Sequence, residues 1–259
     1  MSDEFNVPGG DIILRTQGSP NRDFKVHKLV LSLASPIFRD MFSIPQPRSN
    51  PPDVDIEVVD VADPPQALDL ILRLIYPFRS PKVDSLNLLV EGLIIADKYN
   101  IEGARDRLRE SLHKFIKEEP LRAYAIASRF GFDEEMDIAA PLTTNINLPS
   151  LTNLPDDFSY VPAQAYHKLV VFHVEYRTEI ETIINSVTLT LGCAECASAG
   201  LFFSCWIRTK LVEIVCRGVP KTVSVCAQDL RNSCIGTCVT KFVQDVVARL
   251  GSKNRVIRP

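Results

Sequence analysis

Between residues 23 and 42 the spacing of apolar and polar positions changes period twice. Phe24-Lys25-Val26 alternates apolar and polar side chains, as a half-buried strand does. The chain then passes through His27 into Leu29, Val30 and Leu33, a helical spacing. Ser35-Pro36 restarts it, because serine is a good N-cap and proline is tolerated only in a helix's first turn. Ile37, Phe38, Met41 and Phe42 mark a second amphipathic helix. A strand feeding two short apolar helices, with no catalytic group between them, predicts a packing module rather than a reaction centre.

The same reading continues down the chain. Asp63-Pro64-Pro65 predicts an N-cap with proline at the first helical position, followed by Leu68, Ile71, Leu72 and Ile75 at i, i+3, i+4, i+7. Asp84 is expected to start a helix through Leu86, Leu89, Leu93 and Ala96, with Asn100 as a left-handed C-terminal cap. Ile101, Ala104, Leu108, Leu112 and Phe115 form the next stripe, opposite Arg105, Arg107, Arg109 and Glu110. Pro120 opens a further helix that Gly131 can close. Pro45, Pro47, Pro51 and Pro52 make residues 43–53 a stiff loop. A second cluster, Pro141, Pro149, Pro155 and Pro162 among Asn, Thr and Ser, places a domain boundary. Beyond it, Tyr166, Leu169, Val170, Ile180, Ile183 and Ile184 predict a long helix, and residues 201–216 and 239–250 two more. Residues 187–191 permit a short strand without requiring one.

The phrase from Phe24 to Phe42 resembles the signature of the BTB/POZ domain, a protein–protein interaction fold. Residues 10–15 (Gly-Asp-Ile-Ile-Leu-Arg) resemble the family's first strand and residues 54–58 its third. Tyr76 and the run Ala96-Asp97-Lys98-Tyr99-Asn100 also match its pattern. The resemblance implies an α+β fold, a small sheet with packed helices, followed here by a mostly α-helical C-terminal region. The expected division is a disordered tail over 1–8, the BTB/POZ domain over 9–117 and a helical extension over 118–140. A proline-rich linker over 141–161 and a helical C-terminal domain over 162–259 complete it. In the family, the first strand and first helices form a two-fold hydrophobic interface. Carried over, that implicates Ile12, Leu14, Val30, Leu31 and Phe38 in a homodimer. The family's cullin-contact motif, an apolar residue with an acid two positions later, would align near Leu88 and Val90. The acid is absent there, Glu91 falling one residue late.

Composition narrows the functional classes. A net charge of −3, with scattered Lys and Arg, argues against a basic nucleic-acid footprint. No stretch is long and apolar enough to span a bilayer. The acidic start lacks the apolar core of a secretory signal, so the cytoplasm or nucleus is expected. The seven cysteines then read as reduced thiols. No GxGxxG, GxxxxGK[ST], HExxH or GxSxG motif occurs, so no enzyme is expected. His27, His113, His167 and His173 are dispersed, and His167 and His173 fall on different helical faces. The expected role is therefore a homodimerising interaction protein that recruits a further protein partner. A cullin-ligase adaptor and a transcriptional co-regulator are the alternatives.

One candidate chemistry remains. Cys193-Ala-Glu-Cys196 and Cys234-Ile-Gly-Thr-Cys238 are closely spaced pairs that could converge on one tetrahedral Zn²⁺. Fungal BTB/POZ proteins carry a similar C-terminal segment, a cysteine pair followed by tryptophan (here Trp206) and a second pair. The alternative is a set of buried thiols acting as small hydrophobes, because the CxxxC spacing makes a poorer ligand turn. The zinc reading predicts about one metal ion per chain by elemental analysis of protein purified under reducing, chelator-free conditions. Cys193→Ser with Cys196→Ser should remove it, and metal-free wild-type protein would leave only packed thiols.

Overall fold

The computed structural model describes residues 5–17, 21–44, 56–78, 81–146, 148 and 153–186, with isolated positions between 208 and 249. The chain divides into two compact units, Met1–Glu118 and Glu119–Pro259.

The first unit is built on three strands, β1 (Ile12–Thr16), β2 (Asp23–Val26) and β3 (Glu57–Val61), in the order β2-β1-β3. β1 pairs antiparallel with β2, setting Ile12 opposite Val26 and Leu14 opposite Phe24, and parallel with β3. Alternation does the sorting: Ile12, Leu14, Phe24 and Val26 are buried while Ile13 and Lys25 are not. The third strand, expected over 54–58, occupies Glu57–Val61; residues 54 and 55 lie outside the described residues. Phe5, within the segment expected as a tail, is buried edge-on against Phe24, Tyr76 and Phe78, and Asn6 bridges to Lys25. Gly10 follows, and a side chain there would collide with Lys25 and the carbonyl of Val26.

Among the described residues, five α-helices complete this unit: α1 (Lys28–Ala34), α2 (Pro36–Ser43), α3 (Pro65–Ile75), α4 (Leu86–Lys98) and α5 (Glu102–Ile116). The start of α1 has no cap of its own, and Asp11 at the end of the sheet accepts the Lys28 N–H at 2.8 Å. Ser35 caps α2 through the Phe38 N–H, as its place before Pro36 predicts. α4 is capped by Ser85, not by Asp84 as expected, because Ser85 Oγ reaches the Leu88 N–H. The hydrophobic core lies where α4 packs against α3 and α5. Gly92 permits the close approach, since a Cβ there would sit 3.1 Å from both Leu70 and Leu108. α4 ends where Asn100 takes φ 48°, the left-handed cap its sequence predicts.

The second unit contains α6 (Pro120–Phe130), α7 (Asp133–Ala139) and α8 (Ala163–Ser186), with 3₁₀ turns at Ala140–Thr143 and Asp156–Tyr160. Gly131 closes α6 with φ 70°. The proline-rich segment packs on α6 through both turns. Arg122 donates to Asp157 at 2.7 Å, Arg129 lies 4.0 Å from the Tyr160 ring, and the Tyr124 hydroxyl donates to the Ala165 carbonyl at 2.7 Å. His173 on α8 is hydrogen-bonded to the buried Thr143 at 2.8 Å, and burial holds its pKa below the usual histidine range. No helix among the described residues is long and apolar enough to cross a membrane.

Candidate interaction surface

One tyrosine fixes how the first two helices sit on the rest of the first unit. Tyr99 follows the last turn of α4 and is buried. Its hydroxyl donates to Asp63 at 2.6 Å, its ring stacks on Phe38 of α2 with centroids 4.4 Å apart, and its carbonyl accepts from Ser35 Oγ. Burial first, then the hydrogen bond and charge of Asp63, push the phenol pKa well above its ordinary value. The group therefore stays a neutral donor at any physiological pH. Asp63, expected as the N-cap of α3, makes no such bond: Pro64 stands at the cap position. Asp63 is buried instead, accepting from Tyr99 and from Lys98 Nζ at 2.8 and 3.0 Å. A carboxylate enclosed this way needs its donors, so the loop before α3 is tied to the end of α4.

A second tyrosine holds the entry to α1. The Tyr76 hydroxyl accepts the His27 N–H at 2.8 Å and lies 3.2 Å from His27 Nδ1. His27 is thus a satisfied group at a helix start. The contact holds the backbone at the entry to α1.

These two anchors turn one side of α1 and α2 inward and leave the other apolar. Leu31 and Phe38 are buried, as are Ile12 and Leu14 in the sheet, and Val30 is intermediate. The outward apolar residues are Leu29 (69% exposed), Leu33 (80%) and Ile37 (46%), with Ile44 beyond the end of α2. Leu29 and Leu33 stand one turn apart on α1, and Ile37, at the start of α2, is the next of these outward residues. Of the residues the sequence nominated for an interface, four are thus interior; the exposed residues were visible in it only as ordinary helical spacing. Leu88, Val90 and Glu91 are partly exposed on α4. The four zinc-candidate cysteines, Cys193, Cys196, Cys234 and Cys238, lie outside the described residues. Among the described residues no cluster of His, Cys, Asp and Glu could hold a metal ion.

The family model of the BTB/POZ domain matches residues 10–116, a span that begins just before β1 and ends with α5. The three-stranded sheet with its packed helices is that domain's fold, and the domain is a protein–protein interaction module.

The anchor at Tyr99 generates a direct test. Tyr99→Phe keeps the ring stack on Phe38 but strips a buried carboxylate of one donor. The first unit should lose about 1–3 kcal/mol in chemical denaturation. A loss under about 0.5 kcal/mol would show that the hydroxyl does not secure Asp63.

Proposed function

We propose that the protein is a non-catalytic interaction protein whose BTB/POZ domain pairs with a second copy of itself through α1 and α2. The observation that carries this reading is the exposure of Leu29, Leu33 and Ile37 on helices held rigidly from behind by Phe38 and Leu31. Large aliphatic side chains in water are costly to leave uncovered. A two-fold axis through such a patch sets each leucine against its own counterpart, which makes the patch self-complementary. Val30, half-buried on α1 between Leu29 and Leu31, adds apolar surface to the same helix. The buried residues Ile12, Leu14, Leu31 and Phe38 support the surface from inside. In this reading the second unit recruits a further protein partner.

Light scattering on the full chain checks the pairing. Wild-type protein should have the mass of a dimer, and Leu33→Asp that of a folded monomer whose melting temperature falls only by the lost pairing and no longer depends on protein concentration, because this side chain has little packing within its own chain to lose. Leu31→Asp should unfold the first unit instead, since it places a charge in the core. A monomeric wild type at micromolar concentration would overturn the reading.

A further inference from the structure

In the second unit one imidazole holds a helix against a turn. Ala165, Leu169 and His173 fall at four-residue intervals on one face of α8. The first two are buried, and the Tyr124 hydroxyl of α6 donates to the Ala165 carbonyl at 2.7 Å. The half-buried His173 is the third point, its Nε2 lying 2.8 Å from Oγ1 of the fully buried Thr143. The direction of that bond follows from Thr143. Its hydroxyl also lies 2.7 Å from the Ala140 carbonyl, and a carbonyl only accepts, so the single hydroxyl proton points there. Towards the ring the threonine oxygen must then accept. Nε2 therefore carries the proton of a neutral imidazole, and Nδ1 is the nitrogen left to take up a second one. Among the described residues Nδ1 meets no hydrogen-bond acceptor.

The Ala140–Thr143 turn has no titratable side chain. α6, which packs on it, brings Arg122 and Arg129, engaged by Asp157 and the Tyr160 ring, and Tyr124, which burial keeps protonated. α7, which packs on it too, brings Asp133, Glu134, Glu135 and Asp137, and α8 brings Glu175, Tyr176 and Arg177 within one turn of His173. Among the described residues no carboxylate forms an ion pair with the ring.

From this bonding we infer that His173 is an acid-sensitive latch: a second proton, arriving on Nδ1, releases the middle of α8 from the Ala140–Thr143 turn. In place, the cation would be partly desolvated and would carry an N–H that nothing accepts; released, it is hydrated. Thr143 loses little, because its hydroxyl keeps the Ala140 carbonyl. Burial lowers the His173 pKa, in agreement with this. The latch is therefore fully closed above the ordinary imidazole value of about 6.5 and weakens as pH falls below it. The Tyr124 bond has no group that titrates in this range, so the start of α8 stays attached as the pivot. None of this depends on pairing through α1 and α2.

Hydrogen exchange of the full chain at about pH 7.5 and 5.5, corrected for the intrinsic effect of pH, tests it. Protection of the Thr144 and Ile146 amides, which donate back to the turn, should fall severalfold on acidification, while that of Leu89–Ala96 in α4 holds. His173→Gln, whose side-chain amide can donate to Thr143 but takes up no proton, should keep the protection at both pH values. His167→Gln changes an exposed histidine and should leave the wild-type response intact. A measurement on the wild type does not depend on how the glutamine seats: the His173 ring, followed by NMR, should titrate below the ordinary imidazole value, and the Ile146 amide shift should share its midpoint. Equal wild-type protection at both pH values, an undiminished response in His173→Gln, or a ring titrating at or above the ordinary value would overturn the inference.

Discussion

The first unit depends on a buried phenol–carboxylate contact. The Tyr99 hydroxyl donates a hydrogen bond to Asp63 across 2.6 Å, and through its ring and carbonyl the residue also holds Phe38 and Ser35. Three parts of the chain far apart in sequence, the α1–α2 junction, the loop before α3 and the end of α4, therefore meet at one residue. Because Asp63 is enclosed, breaking the contact would leave a desolvated carboxylate with Lys98 alone, an expensive state. The arrangement of α1 and α2, and so the surface they present, follows from avoiding it.

Much of this fold was legible because its signals are local. Ser35 before Pro36 caps α2, Asn100 takes a left-handed conformation after α4 and Gly131 does so after α6; each needs only its neighbours to be understood. The stripe of Ala104, Leu108, Leu112 and Phe115 lies buried as its period requires. Asp63 was not legible. It has the residue type and position of an N-cap, but its partners lie 35 and 36 residues away, and a long-range donor outcompetes the local amide. The start of α1 shows the converse: its cap is Asp11, 17 residues earlier, which no local pattern announces.

The interaction surface was half legible. α1 is a seven-residue helix with leucine or valine at 29, 30, 31 and 33, so apolar residues ring it almost completely. Periodicity cannot then say which side faces inward; only the sheet and Tyr99 decide that Leu31 is the core residue and Leu29 and Leu33 are not. The cysteine pairs are chemistry legible in sequence that lies outside the described residues.

A protein–protein interaction module acts through its surfaces, and here α1 and α2 present exposed aliphatic side chains. The central claim is that these side chains are where two copies meet. Isotope-filtered NMR on an equimolar mixture of labelled and unlabelled full-length protein addresses it most directly. Intermolecular cross-relaxation between the methyl groups of Leu29, Leu33 and Ile37 of one copy and protons of the other is the predicted result. Its absence from those methyls, whether replaced by contacts elsewhere or by none, would contradict the account.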